Sequence, residues 1–163
     1  MAESIYKNLE QLLRDYDWKK NPQKNTGTTI RNGSFRLNEY SCNVGFTKHF
    51  RFKGHPIREG QLYKKNNGVI YKECKRLFGF FDFDGCMINK NFKCPPHFDK
   101  NNKSDILIVG VGDYTEGELV ISDVPVDIHY KPYTFNGGLH EHYVKEWSGG
   151  DRYTITMFKI KPT

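Results

Sequence analysis

His97 and Asp99 stand two residues apart in "CPPHFDKNN" (residues 94–102), shortly before the apolar run "ILIVGVG". An imidazole and a carboxylate so spaced at a strand end project to one side, because side chains alternate with a period of two. Together they offer two thirds of a metal site. The spacing alone carries little weight: with 6 histidines and 19 acidic residues in 163, chance supplies roughly 0.7 such pairs. Weight comes from the later segment "HEHYVKEWSGGDRYTITMF" (residues 140–158), strand-like in texture, with two more histidines, a glycine turn and a lone arginine.

Two histidines and one carboxylate on one face of Fe(II) leave the opposite face open, room for a chelating 2-oxo acid and for dioxygen. The third ligand must come from a strand distant in sequence and adjacent in space. A dianionic co-substrate also needs a cation for its far carboxylate, and arginine suits this because its planar fork makes two parallel hydrogen bonds. Arg152, beyond His142 and past a turn, can sit on the next antiparallel strand and reach the same mouth.

The elements that must position these groups are mostly strands. Aromatics are abundant (12 Phe, 10 Tyr, 2 Trp) within a hydrophobic fraction of 37%, a bias toward β structure. After residue 80, "FFDFDGCMINKNF", "DILIVGVG", "GELVISD", "VPVDIHY", "YTFNG", "LHEHYV" and "RYTITMFKI" are short β-type runs separated by turn residues. At least six strands argue for a sandwich, jelly roll or barrel. Before residue 80 the texture is different. Ile5, Leu9, Leu12, Leu13 and Tyr16 make one helical stripe over residues 3–18, with Ser4 as a candidate cap. Residues 19–34 read as a basic loop, 35–46 as a strand, and 59–79 as helix broken at "NNG". The expectation is one domain over 1–163: a helical, basic N-terminal support (1–80) and a jelly-roll core (81–160).

Charge divides the same way. Residues 1–80 carry 16 Lys and Arg against 7 Asp and Glu, whereas 81–163 carry 9 against 12. Such asymmetry suits either a nucleic-acid-facing surface or a solvated lysine face. Cys42, Cys74, Cys86 and Cys94 form no CxxC pair, so a zinc knuckle is not expected and the thiols should be reduced. No run is long enough to span a membrane and "MAESIYKNLEQLL" lacks a secretory profile, so a soluble protein of cytoplasm or nucleus is expected, with no membrane partner.

The segments "INKNFKCPPHFDKNN", "ILIVGVGDYTEGELVI" and "HYVKEWSGGDRYTITMF" together resemble the Fe(II)/2-oxoglutarate-dependent oxygenase superfamily. They look most like the branch holding the ten-eleven-translocation methylcytosine oxidases, the base J thymine hydroxylases and related compact protist and viral oxygenases. The resemblance covers residues 85–160. It implies a double-stranded β-helix, a distorted jelly roll, here in a β-rich α+β chain with N-terminal helices packed on one sheet. It implies Fe(II), 2-oxoglutarate and dioxygen as cofactor and co-substrates. Residue by residue, His97 and Asp99 match the first two metal ligands, and Gly117, Glu118 and Leu119 match a glycine-led strand, with Glu116 where a second glycine is common. His142 matches the distal ligand, with His140, two residues away and therefore expected on the same strand face, as the alternative; the one not used becomes a supporting or substrate-facing group. Arg152 matches the 2-oxoglutarate anchor, Thr154 a hydroxyl donor to the same carboxylate, and Asn89 and Asn102 polar positions that orient co-substrate, ligands or substrate.

Such an enzyme would hydroxylate a C–H bond of a macromolecule. A methylated nucleobase in DNA or RNA, flipped out of a duplex, is one substrate; a prolyl, lysyl or asparaginyl side chain of a peptide or protein is another. A cupin-like module that holds a metal or ligand without turnover is the non-enzymatic alternative, against which Arg152 argues. His49, His55 and His129 are expected in solvent or loops, Asp82 and Asp84 on a solvated edge, and Phe80, Phe81, Phe83, Tyr153 and Phe158 as core or barrel lining. Oligomeric state is not legible in the sequence.

Overall fold

The computed structural model describes residues 2–16, 18, 40–47, 58–59, 68–99 and 104–159. The N-terminal stripe forms two helices: α1 (Ala2–Ile5) and α2 (Lys7–Asp15). The break falls at Tyr6 (φ −96°, ψ 0°), whose ring stacks on Phe78 and on Tyr130 in the core. The expected stripe is thereby corrected. Leu9, Leu13 and Tyr16 are buried, but Ile5 is exposed and Tyr6 takes its place inside; Ser4 lies within α1 rather than capping it.

Next come β1 (Tyr40–Thr47), β2 (Arg58–Glu59) and α3 (Val69–Phe78). Of the helix expected over 59–79, Val69–Phe78 are helical, after Gly68 turns the chain at φ +74°; Glu59 is in a strand instead, and residues 60–67, Leu62 among them, lie outside the described residues. Residues 19–34, expected as a loop, also lie outside them. The β-type runs beyond residue 80 then give β3 (Gly85–Lys90), β4 (Ile106–Val111), β5 (Thr115–Glu116), β6 (Leu119–Ile121), β7 (Val124–Val126), β8 (Tyr133–Phe135), β9 (His142–Val144), β10 (Trp147–Ser148) and β11 (Tyr153–Phe158).

The strands form a six-stranded sheet in the order β2-β1-β3-β11-β4-β8, a three-stranded sheet β7-β6-β9, and the pair β10-β5. In the large sheet β11 runs antiparallel to both neighbours, with Thr154 opposite Asn89 on β3 and Gly110 on β4. Alternation splits every strand between two layers. Tyr153, Ile155 and Met157 of β11, with Leu107, Val109 and Val111 of β4, pack with Leu9 and Leu13 of α2 and Ile70, Cys74 and Phe78 of α3. Ile106 and Ile108 of β4 face the other way and meet Leu119 and Ile121 of β6, Phe135 of β8 and Val144 of β9. The helices thus cover one face of the large sheet, and the small sheet covers the other. Among the described residues Cys74, Cys86 and Cys94 form no disulfide. Phe80, expected in the core, is 74% exposed because it sits in the turn after α3 rather than on a strand. No helix among the described residues is long and apolar enough to cross a membrane.

Candidate metal centre

His97 and Asp99 lie beyond β3 on an extended segment that the backbone ties to β9. His97 and His142 exchange both amide hydrogen bonds (3.1 and 3.0 Å), an isolated antiparallel bridge that brings the two rings to 4.3 Å between centroids. The Asp99 amide donates to the Gly137 carbonyl at 2.9 Å. Gly137 has no room for a side chain: a Cβ would stand 2.6 Å from Asp99 Oδ2 and 3.1 Å from His142 Cε1. The "FNGGLH" loop can therefore press against the acid and the distal histidine only with glycine there.

The donor atoms converge. One from each of His97, Asp99 and His142 lies within 4.8 Å of the others. Asp99 Oδ1 is 3.4 Å from His97 Nε2, and Oδ2 is 3.2 Å from His142 Nε2. Each ring is oriented from behind, since His97 Nδ1 meets the Pro95 carbonyl at 2.7 Å and His142 Nδ1 the His140 carbonyl at 2.9 Å. A carbonyl can only accept, so both Nδ1 atoms carry hydrogen and each Nε2 faces the carboxylate: protonated, it donates to Asp99; deprotonated, it turns a lone pair to the same point. In the deprotonated state two lone pairs and an anion facing one point call for a cation, and backbone-held Nδ1–H groups are the support that metal-bound imidazoles use. Burial alone would raise the Asp99 carboxyl; the hydrogen bonds and charges of His142 and His97 outweigh it and hold it well below the usual carboxylate range. For His97, burial lowers the pKa, but the Asp99 carboxylate and the Pro95 carbonyl win and the net shift is upward. The site opens to one side: the His142 side chain is 8% exposed and Asp99 34%. Two imidazoles and one carboxylate with an open flank suit Fe(II) as a facial set.

Arg152 precedes β11 and shares the face of Thr154, which looks into the layer between the sheets. Its guanidinium is buried between two rings, 5.3 Å from Tyr114 and 5.4 Å from Trp147. Nη2 donates to the Gly117 carbonyl at 3.0 Å, while Nε has no acceptor. No ion pair to Arg152 occurs among the described residues. Burial lowers its pKa, with Tyr114 and more distant charge opposing. A buried cation lacking an anion is costly unless an anionic ligand completes it. Gly117 (φ +68°) makes the approach possible, since a Cβ there would stand 3.1 Å from Arg152 Nε. Asn91 fixes the main chain: its side-chain oxygen accepts the Arg152 amide at 2.8 Å, and its own amide donates to the Arg152 carbonyl at 2.7 Å.

The structure therefore brings His97, Asp99 and His142 together. It puts Arg152, Thr154 and Asn89 on one face of the large sheet. His140 stands apart: β9 begins only at His142, and His140 is exposed in the preceding turn with its ring on the Ser122 hydroxyl (3.0 Å), contributing its carbonyl to His142. The expectation that it shares the strand face of His142 fails because the strand does not reach it. Asn102, His49 and His55 lie outside the described residues. His129 is not a free loop histidine, for its ring packs against Tyr114 (4.0 Å) and Tyr130 (4.3 Å). Asp84 is buried and Asp82 pairs with Lys159 at 2.6 Å, so they do not act as one solvated pair. Sequence reasoning missed Tyr114, Asn91 and Gly137. The doubled glycine at 137–138 beside the histidine segment was the one signal for a close approach.

No family model matches the sequence, and no curated protein does. Solved structures do. A 2OG-Fe(II) oxygenase family oxidoreductase from Burkholderia pseudomallei is similar over 74% of this chain and 68% of its own, at 14% identity and TM-score 0.49. NgTET1, solved in complex with 5mC DNA, is similar over 94% of this chain and 68% of its own, at 14% identity and TM-score 0.55. OsALKBH1 is similar over 97% and 92%, at 13% identity and TM-score 0.50. The chain thus has the fold seen in NgTET1 and OsALKBH1.

Proposed function

We propose that this chain is an Fe(II)- and 2-oxoglutarate-dependent dioxygenase that hydroxylates a C–H bond of a macromolecular substrate, a methylated nucleobase foremost. The observation that carries the reading is the convergence of His97, Asp99 and His142 donor atoms within 4.8 Å, with both imidazoles held through Nδ1. His97 Nε2, His142 Nε2 and an Asp99 oxygen would hold the metal. When bound, Fe(II) supplies dioxygen activation coupled to decarboxylation of 2-oxoglutarate to succinate.

The rest is the work of side chains. Arg152 binds the far carboxylate of 2-oxoglutarate, with Thr154 donating its hydroxyl; Tyr114 and Trp147 keep water from the guanidinium and strengthen its hold on the anion. Asn89, opposite Thr154, adds a polar group to the same face. His140 and Asn102 are assigned to the substrate side. We take residues 1–163 as one oxygenase domain, with 1–80 as support that adds β1 and β2 to the large sheet, and the strands of 81–160 as the core of a double-stranded β-helix.

The nucleobase assignment is supported by the likeness to NgTET1, whose solved complex holds 5mC DNA, and by the basic excess of residues 1–80. The test is anaerobic loading with Fe(II) and 2-oxoglutarate, admission of oxygen, and succinate measurement across oligonucleotide and peptide panels. Stimulation by a methylated oligonucleotide supports the proposal; stimulation only by peptides moves it to a peptidyl hydroxylase. Absence of 2-oxoglutarate turnover in every arm leaves a cupin-like binding module.

A further inference from the structure

Helix α2 lies outside the segment whose motifs resemble the oxygenases, yet it sends a buried carboxylate toward the surroundings of Arg152. Glu10 Oε1 accepts the Gly112 amide at 2.9 Å and the hydroxyl of Tyr130. One helical turn on, Arg14 Nη2 lies 2.9 Å from Asp113 Oδ2 and 3.7 Å from Glu10 Oε2. Two side chains at i and i+4 thus grip two successive residues at the end of β4. The gripped turn has little slack. Gly112 sits at φ +123°, and a Cβ on it would stand 2.2 Å from the carbonyl oxygen of Asp151, the residue before Arg152. Its own carbonyl accepts from His129 Nε2 at 2.7 Å.

The next residue along is Tyr114. Its ring lies between His129 at 4.0 Å and the Arg152 guanidinium at 5.3 Å. Since Arg152 has no ion pair among the described residues, ring contacts and the Gly117 carbonyl aim it, so the placement of Tyr114 matters. Tyr130 adds a second tie: a bulky residue at φ +57° is strained, and it is held there by its amide on the Gly110 carbonyl (2.8 Å) and its hydroxyl on Glu10.

We propose that Glu10 is a positioning residue for Arg152, acting through the Gly112–Tyr114 turn, so that α2 forms part of the co-substrate site. The proposal rests on reading Arg152 as the 2-oxoglutarate anchor. Its core, that the Glu10 bond to Gly112 sets the guanidinium through the Gly112–Tyr114 turn, can be read without that assignment.

The experiment uses the full chain in two assays. Arg152 accessibility is followed in metal-free protein by phenylglyoxal labelling and mass spectrometry, and 2-oxoglutarate affinity by calorimetry on anaerobic Fe(II)-loaded protein. Glu10→Met removes the acceptor at similar size and is expected to expose Arg152 to the reagent and weaken 2-oxoglutarate binding about tenfold, the scale of a lost charge-assisted hydrogen bond, with Fe(II) affinity unchanged. Glu10→Gln keeps Oε1 and should stay within about threefold of wild type. Tyr130→Phe leaves the Glu10 bond to the Gly112 amide in place while removing a hydroxyl 3.1 Å from the Gly112 carbonyl; it should shift both readouts in the same direction by less, and serves if Glu10→Met does not fold. Leu13→Ala, a core truncation on the same helix, should lower Tm without changing either readout. Unchanged labelling and affinity in Glu10→Met, or the same changes in Leu13→Ala at equal loss of Tm, would overturn the proposal. If wild type binds no 2-oxoglutarate while Glu10→Met alone exposes Arg152, the oxygenase reading falls and the positioning role stands.

Discussion

The two faces of β11 and the residue before it divide the work of the molecule. Tyr153, Ile155 and Met157 point to the helix-covered layer, where all three are buried in one hydrophobic cluster. Arg152 and Thr154 point the other way, equally buried, yet one carries a charge with no ion pair among the described residues and the other a hydroxyl. On the function proposed above, Tyr153, Ile155 and Met157 contribute stability and Arg152 and Thr154 site chemistry, an economy that a side-chain period of two permits. The lesson is that burial alone does not identify core; the chemistry of what is buried decides.

Substitutions on the two faces should separate activity from stability. The largest effect on function is expected from Asp99→Ala, which removes the acid shared by both imidazoles: succinate formation should vanish while thermal unfolding shows a folded protein. On the opposite face, Ile155→Ala should cost about 2–5 kcal/mol of stability in denaturant titration, as buried Ile truncations do, with turnover per folded molecule unchanged. If Ile155→Ala abolished turnover in protein shown to be folded, the division would be wrong. Arg152→Lys keeps the charge and loses the planar fork, so the 2-oxoglutarate requirement should rise roughly tenfold in steady-state kinetics.

Alkaline titration treats both faces alike. Burial pushes the phenols of Tyr153 on the helix side and Tyr114 beside Arg152 each up to about 12. A raised folded pKa favours the neutral form, so this stability is present below the unfolded tyrosine value of about 10. It is lost as pH climbs through about 12, and phenolate absorbance should rise together with unfolding. Tyr153→Phe should shift that transition to higher pH. The smallest effect concerns Glu116, at φ +65° where the resemblance leads one to expect glycine. Glu116→Gly should raise stability by about 1 kcal/mol by relieving the left-handed penalty, measured as a shift in Tm.

The strands were legible because they depend on local pattern, and the three side chains whose donor atoms converge were named beforehand. "YTITMF" and "ILIVGV" read as strands and are strands, and His97, Asp99 and His142 could be named from spacing and resemblance. What the sequence did not reveal depends on where strands stop and on contacts remote along the chain. The parity argument for His140 needed β9 to extend two residues further, but Asn136 Oδ1 accepts the amides of Gly138 and Leu139 and holds the chain in a turn up to that point. Tyr114 and Asn91 reach Arg152 only through the fold, from 38 and 61 residues away in sequence. Tyr6 breaks a helix that periodicity alone would run unbroken, because its ring finds Phe78 and Tyr130. Residues 85–160 carried the resemblance, whereas Glu10 offered no motif at all.

The central claim is that His97, Asp99 and His142 form a ferrous site. Anaerobic calorimetric titration of Fe(II) into wild-type and His97→Ala protein tests it most directly. Saturable binding in the first and none in the second is the predicted result; equal binding in both would contradict the account.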